Sequence, residues 1–274
     1  MKKKRLIPVL LLKNGFLVQS KSFKRYQNLG NPVTSVKRLS EWAADELIYI
    51  DISREDVYDM RRDDLGHYNR DNILDIIDDV SRDCHMPVTI GGRIRSLRDM
   101  AFRLSKGADK VSINTKALED PGFIEEAAKE FGSQCVIVSM DAKSVDGAHR
   151  IMSDGGRQMT GYSPAEWATI AEEKGAGEIL INSIDRDGRK NGYDIDLVSQ
   201  VVDAVDIPVI ALGGVGEWEH FSEVLEKTDV DAVAAANIFH YSDQSVYLAK
   251  KYLYEKGHLV RQPDLLLEEV NSRR

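Results

Sequence analysis

Eight short apolar runs, each followed by a loop and a longer amphipathic segment, constrain the fold of this chain more than any other feature. The runs are apolar almost throughout, as expected for parallel strands that are covered on both faces. They are Leu6–Leu12, Leu47–Ile52, Pro87–Ile90, Val111–Ile113, Val136–Met140, Ile179–Ile184, Pro208–Leu212 and Ala232–Ala236. Eight strands that alternate with helices predict an α/β protein, a single (βα)8 TIM barrel.

The segments between the runs have helical periodicity and recognisable start signals. Three of them are Pro121–Phe131, Pro164–Lys174 and Glu217–Lys227. Asp120 and Ser163 stand directly before prolines, which is the position of a helix N-cap. No linker rich in Pro, Gly or Ser divides the chain, so we expect one domain over residues 1–274, with a C-terminal tail from about 259 to 274.

The two halves of the chain contain similar segments. Pro87–Gly92 is echoed by Pro208–Gly214, Ala108–Val111 by Val230–Val233, and Glu46–Ile48 by Glu178–Leu180. A half-barrel that was duplicated and fused would produce this pattern. The alternative explanation is that the strands are similar only because buried strands are commonly rich in Val, Ile and Gly.

Composition excludes several classes of protein. The chain has 37 Lys and Arg against 45 Asp and Glu, a formal charge of −8, which argues against nucleic-acid binding. The two cysteines, Cys84 and Cys135, lack the spacing of a metal or redox motif, so we expect reduced thiols, no metal and no cofactor. The apolar run Leu6–Leu12 is short for a secretory signal, and no stretch approaches the roughly 18 residues of a membrane span. We expect a soluble, cytoplasmic protein.

Residues at the carboxyl ends of the predicted strands form a coherent set. In barrels of this kind the reacting groups project from that end. Glycine there lets backbone N–H groups approach an anion, and amide or hydroxyl side chains add donors. The candidate phosphate-binding residues form one cluster in each half: Gly91, Gly92, Asn114 and Thr115, and then Asp187, Gly188, Gly213, Gly214, Ala236 and Asn237. Two clusters suggest a substrate with two phosphates.

A single carboxylate among these residues is the candidate catalytic group. Asp141 stands at the end of the fifth strand, where it could act as a general acid or base. Aligning Ile7–Lys13 with Ile137–Lys143 places Leu11 opposite Asp141. One half of the barrel therefore carries a titratable group where the other carries an aliphatic one.

Four charged residues stand at the opposite ends of the strands. Arg5, Glu46, Lys110 and Glu178 each immediately precede an apolar run. Such charges are usually solvated or paired for stability at the bottom of a barrel. Two cations and two carboxylates could instead form a neutral ring around the barrel axis, because mutual pairing offsets the cost of burial. That ring would be a polar gate.

Together these residues resemble the cyclase subunit of imidazole glycerol phosphate synthase, a barrel that takes ammonia from a separate glutaminase in histidine biosynthesis. The resemblance runs from about Lys4 to His258. Its most specific stretches are Gly107–Thr115, Asp141–Lys143, Gly175–Leu180, Ser183–Gly188, Gly192–Asp194 and Ala235–His240. It implies that Arg5, Glu46, Lys110 and Glu178 form an ammonia gate and that Asp109 lies at the glutaminase interface.

The substrate end departs from the family pattern. The family uses two aspartates as acid and base; the second matches Asp141, and the first matches Leu11. Gln19 stands where the family usually has a lysine, and Arg93 replaces a third glycine. The loop from Ser53 to Asn72 is longer than the family's and carries Tyr58, Arg61, Arg62, His67, Tyr68 and Arg70. It is either a substrate contact or a surface elaboration.

The leading hypothesis is an ammonia-accepting, lyase-type subunit that pairs with a glutaminase but is diverted to amidation of a surface-polysaccharide sugar. Its acceptor would be a phosphorylated small molecule or a nucleotide sugar, and a sugar amidotransferase could be a further partner. The first alternative is an authentic histidine-pathway cyclase in which Asp51 or Asp187 replaces the missing acid. The second is a non-catalytic conduit and scaffold for the glutaminase. A related histidine-pathway isomerase fits less well, since gate charges have no role there.

Overall fold

Eight parallel strands form a closed barrel in the computed structural model, which describes residues 2–54, 58, 70, 72–240 and 245–263. Closure is made by the pairing of the last barrel strand with the first, where Leu6 lies opposite Val233. In order around the barrel the strands are β1 (Arg5–Lys13), β4 (Leu47–Asp51), β5 (Val88–Gly91), β6 (Lys110–Ile113), β7 (Val136–Val145), β10 (Glu178–Ser183), β11 (Val209–Leu212) and β12 (Ala232–Ala235). The predicted fold class is confirmed, and the predicted strand boundaries agree with the structure to within one residue except at the end of β7.

Helices follow the barrel strands and pack their apolar faces against the outside of the barrel. They are α1 (Pro32–Glu41), α2 (Ile73–Asp83), α3 (Leu97–Ser105), α4 (Thr115–Glu119), α5 (Gly122–Phe131), α6 (Pro164–Glu173), α7 (Ile195–Val202), α8 (Trp218–Lys227) and α9 (Ser245–Glu255). Ser163 is confirmed as an N-cap, because its side chain and that of Glu166 form a capping box. The assignment of Asp120 as a cap is wrong: α5 begins at Gly122, and Pro121 takes the cap position.

Two antiparallel extensions rise from the barrel after its first and fifth strands. One comprises β2 (Phe16–Lys21) and β3 (Arg25–Gly30), and the other β8 (Ala148–Ser153) and β9 (Gln158–Met159). Their turns, Asn14-Gly15 and Asp146-Gly147, have positive φ at both residues, the conformation of a tight hairpin turn. The extensions make β7 longer than predicted, so that Asp141 lies within the strand rather than after it.

The barrel has an apolar interior that is separate from the layer between strands and helices. The inner cluster consists of Ile7, Val9, Ile48, Ile137, Leu180, Ile210, Leu212, Ala232 and Ala234, with Leu11, Ile50 and Ala236 packed against it. None of the helices in the described parts of the chain is long and apolar enough to cross a membrane. Of the predicted loop, positions 61, 62, 67 and 68 lie outside the described residues, as do 264–274 of the predicted tail.

Candidate active site

A cavity of about 560 Å³ opens at the carboxyl ends of the barrel strands. It brings together residues that are far apart in the sequence. The predicted residues that line it are Asp141, Gly92, Asn114, Thr115, Asp187, Gly188, Gly213, Gly214, Ala236 and Asn237. Gly91 is the exception: it is buried at the end of β5, where its Cα faces Ser112.

Asp141 lies in the wall of this cavity between two amide side chains. Asn114 Nδ2 donates to Asp141 Oδ2 at 2.8 Å, and Asn182 Nδ2 donates to Oδ1 at 3.0 Å. Burial raises the pKa of Asp141 to about 6, although the two amide hydrogen bonds favour the charged form. A carboxyl group with this pKa can both release and accept a proton near neutral pH, as a general acid or base requires.

Leu11 gives the opposite wall of the cavity an apolar character. It lies on β1 opposite Ile50 of β4 and packs against the inner cluster. Leu11 and Ile50 thus form an aliphatic part of the wall, whereas Asp141 and its two amide partners form a part with a carboxylate and amides. Gln19, the second departure, lies on β2, where its side chain bonds Gln27 across the hairpin at 3.1 Å.

Asp187 is a second carboxylate on the cavity wall. It accepts a hydrogen bond from Ser20 Oγ at 2.7 Å and another from the backbone N–H of Phe23 at 3.2 Å. Burial raises its pKa, while these hydrogen bonds oppose the shift. Because the partners lie on the β2–β3 hairpin and its turn, Asp187 ties that hairpin to the cavity.

Asp51 is held differently, by three hydrogen-bond donors and a nearby guanidinium group. Its carboxylate accepts from the Ser53 N–H and Oγ, from Tyr58 OH at 2.9 Å, and lies 3.7 Å from Arg93 Nη1. The side chain is wholly buried, and Tyr58 belongs to the long predicted loop. Sequence reasoning missed this cluster, since nothing in the local pattern connects positions 51, 58 and 93.

At one position in each predicted phosphate cluster, the backbone conformation and the available space permit only glycine. Gly92 has φ +92, and a Cβ there would stand 2.0 Å from the Asp51 carbonyl oxygen; Gly214 has φ +99 and the same distance to the Gly192 carbonyl oxygen. Two polar atoms nearby, Asn114 Oδ1 and Asn237 Oδ1, are buried and have no hydrogen-bond partner among the described residues. Buried polar atoms of this kind usually have partners, so both clusters are suited to a polar ligand.

At the opposite end of the barrel the four predicted gate residues form one closed ring. Arg5 bonds Glu46 at 2.6 Å and also Glu178, and Lys110 Nζ lies 3.0 Å from each of the two carboxylates. Burial alone would lower the pKa of Arg5, but the Glu178 and Glu46 carboxylates raise it above its ordinary value. The ring alternates in sign and is neutral, which offsets the cost of burying two glutamates.

Asp109 lies next to this ring on the outer edge of the barrel. It is exposed, and its carboxylate accepts a hydrogen bond from the Val88 N–H at 2.8 Å. Asp231 makes the same contact with Val209 in the other half, at 3.1 Å. The contact repeats with the half-barrel, so it supports strand placement in both halves. The interface role of Asp109 stays a prediction.

Within the described ranges, no three or more His, Cys, Asp or Glu side chains are grouped to hold a metal ion. The cavity carries carboxyl groups that can transfer protons, Asp141 and Asp187, and amide side chains that can form hydrogen bonds.

Comparison with known proteins identifies the family to which this chain belongs. A family model described as "Histidine biosynthesis protein" matches residues 5–245. The chain belongs to this family. Similar relatives are "Imidazole glycerol phosphate synthase subunit HisF" of Geobacillus kaustophilus (strain HTA426), 45% identical over 260 residues, and of Geobacillus thermodenitrificans (strain NG80-2), 44% identical over 260. The protein of that name from Lysinibacillus sphaericus (strain C3-41) is 43% identical over 261 residues. Each match covers 94% of this chain and 99% of the relative.

The family membership supports the cyclase-like part of the sequence prediction. It does not support diversion to a surface-polysaccharide sugar, because these relatives carry the name of the synthase subunit.

Proposed function

We propose that this member of the histidine biosynthesis family is an ammonia-accepting cyclase subunit of an imidazole glycerol phosphate synthase and works with a separate glutaminase. The observation that carries the proposal is the pairing of a closed charged ring at one end of the barrel with Asp141 in a cavity at the other. The apolar inner cluster lies between them. Ammonia crosses such a lining as the neutral molecule, since an ammonium ion would lose its hydration there.

Each part of the site has a role in this proposal. The ring admits ammonia from the glutaminase, and the glycine clusters at Gly92 and Gly214 hold the two phosphates of the acceptor. Asp141 transfers protons at the reacting carbon and nitrogen atoms. Its amide partners, Asn114 and Asn182, fix the direction of the carboxylate.

The aliphatic residue at position 11 slows the reaction in this account. Loss of one general acid or base typically costs a factor of about 10² to 10⁴. Of the two candidates for its replacement, Asp187 is better placed than Asp51. Burial raises the pKa of Asp187, whereas the Asp51 side chain is wholly buried and lies beside the Arg93 guanidinium group.

Growth of a strain that lacks its own cyclase subunit tests the proposal. The gene for this chain, expressed with a glutaminase, should restore growth without histidine, and the Asp141→Asn variant should not. Failure of the unmodified chain, with both proteins soluble and associated, would contradict the proposal.

The presence of Leu11 favours one other function. The subunit would then deliver ammonia to an acceptor whose reaction needs only one titratable group of the protein. The purified pair would then consume an added phosphorylated acceptor with glutamine but form no imidazole product. Ammonia release without turnover of any acceptor would instead favour the scaffold function.

A further inference from the structure

The carbonyl groups of two phosphate-cluster glycines, Gly92 and Gly214, are each held by a hydrogen bond, but the donors differ. The Gly214 carbonyl oxygen accepts from the backbone N–H of Gly192 at 2.9 Å. The Gly92 carbonyl oxygen accepts from the side chain of Arg103, whose Nη2 lies at 2.9 Å. A backbone group in one half of the barrel thus corresponds to a guanidinium group in the other.

Arg103 is a buried residue of α3, with only 5% of its surface exposed. The segments that follow the two glycine pairs align without a gap as far as the next strand, so Arg103 corresponds to Leu225 of α8. Leu225 packs against the apolar core. Burying a guanidinium group costs free energy that burying leucine does not. An arginine at this position therefore points to a role beyond packing.

The guanidinium group connects the helix to the turn that ends β5. Its Nη1 donates to the Asp99 carbonyl oxygen in the first turn of α3 at 2.9 Å, while Nη2 reaches Gly92. Burial lowers the pKa of Arg103, but the carboxylates of Asp99 and Asp51 oppose the shift, and arginine stays charged. The turn is therefore held by a charged donor, which forms a stronger hydrogen bond than a neutral one.

The hydrogen bond from Arg103 fixes the orientation of a whole peptide unit. A trans peptide unit is planar, with its C=O and N–H groups on opposite sides. Because the Gly92 carbonyl group is directed at α3, the amide edge of the same unit faces away from that helix. Gly92 lines the cavity, so the direction of this unit determines how the backbone of the first phosphate cluster meets a ligand.

We propose that Arg103 is a positioning residue for the first phosphate cluster. It orients the backbone at Gly92 to bind one phosphate group, as the Gly192 N–H orients the backbone at Gly214 for the other. This rests on the proposed function, because that function assigns one phosphate to each cluster. The described residues that line the cavity do not include Arg103, so it acts through the Gly92 carbonyl group.

Titration of the ¹⁵N-labelled full chain with inorganic phosphate tests the inference, because the amide signals of Gly92 and Gly214 report the two ends separately. Arg103→Leu introduces the residue of the other half-barrel and removes the donor to Gly92. We expect its affinity for phosphate to fall about tenfold at Gly92 and to stay unchanged at Gly214. Arg103→Lys, which keeps a charged donor but loses the planar fork, should lose about threefold at Gly92.

Arg98→Leu is the matched control, because it makes the same substitution at an exposed position of α3. It should change neither end. Thermal unfolding shows whether each variant keeps its fold, and the Gly214 signal reports in the same sample whether any loss is confined to the first end. A general structural effect would weaken both ends alike.

The outcomes separate this inference from the proposed function. Unchanged phosphate binding at Gly92 in Arg103→Leu overturns the inference alone, as does equal weakening at both ends in both Arg103 variants. Should Arg103→Leu be unfolded, a loss confined to Gly92 in Arg103→Lys supports the inference, and its absence overturns it. No response at either glycine in the unmodified chain overturns the inference and also contradicts the phosphate assignment of the proposed function.

Discussion

Asp141 has the properties expected of a catalytic carboxyl group. It lies in the cavity wall, accepts hydrogen bonds from two amide side chains, and has a pKa of about 6. Asp141→Asn keeps the shape and removes the titration. We expect a loss of ammonium-dependent turnover of at least about 10²-fold. The pH profile of the unmodified protein should have an inflection near pH 6 that the variant lacks. An unchanged inflection in the variant would assign it to another group.

Ionisation of Asp141 should lower the free energy of unfolding. Its folded pKa of about 6 lies above the unfolded value, so the folded state binds more protons between about pH 4 and 6. The free energy of unfolding therefore falls as pH rises through this range, by at most about 3 kcal/mol. Asp141→Asn should be more stable than the unmodified chain at pH 8, and the gap should narrow at pH 4. Thermal unfolding measures this, with Asp146→Asn in the exposed hairpin turn as control.

Leu11 stands where the resemblance implies the first of two catalytic aspartates. Leu11→Asp places a carboxylate on the apolar wall of the cavity and should raise ammonium-dependent formation of imidazole glycerol phosphate about 10²-fold or more. Leu11→Asn, of similar size and without a titratable proton, is the matched control. Equal rates in all three forms would mean that position 11 takes no part in the chemistry.

At the scale of elements, strand content could be read from the sequence because each buried strand is a continuous apolar run. The two hairpins could not be read in this way, since their strands are partly exposed and follow a barrel strand directly. A signal was nevertheless present: Asn14-Gly15 and Asp146-Gly147 are the dipeptides most typical of tight hairpin turns. The pair Asp146-Gly147 indicates a hairpin, and a hairpin there requires β7 to continue past Asp141.

The gate ring depends on the starts of four separate strands. Glu46→Gln leaves Arg5 and Lys110 with one carboxylate in place of two, and should lower the free energy of unfolding by roughly 1–3 kcal/mol. It should also reduce glutamine-dependent turnover more than ammonium-dependent turnover. Glu125→Gln, which removes a surface carboxylate that pairs with Lys129 on α5, is the control for charge. A change in both turnovers by one factor would exclude a gating role.

At the scale of the whole molecule, closure of the barrel brings together the residues of the charged ring and those of the cavity. Their local sequences do not indicate that they are in contact. The ring and most of the phosphate clusters were predictable, because strand ends of a closed barrel meet at two faces. The cluster of Asp51, Tyr58 and Arg93 was not predictable, since nothing in the sequence indicates that Tyr58 and Arg93 lie against Asp51. Asp109 and Asp231 make matching contacts, each accepting a hydrogen bond from the backbone N–H of a neighbouring strand, as the predicted half-barrel duplication would produce.

We propose that ammonia passes through the barrel interior, and Ala232→Leu tests this passage. Ala232 belongs to the inner cluster and lies opposite Arg5 on the neighbouring strand, so a larger side chain there narrows the path just past the ring. With the glutaminase bound and thermal unfolding showing an intact fold, we expect glutamine-dependent turnover to fall at least about tenfold while ammonium-dependent turnover is retained. Equal glutamine-dependent turnover in the variant and the unmodified chain would contradict it.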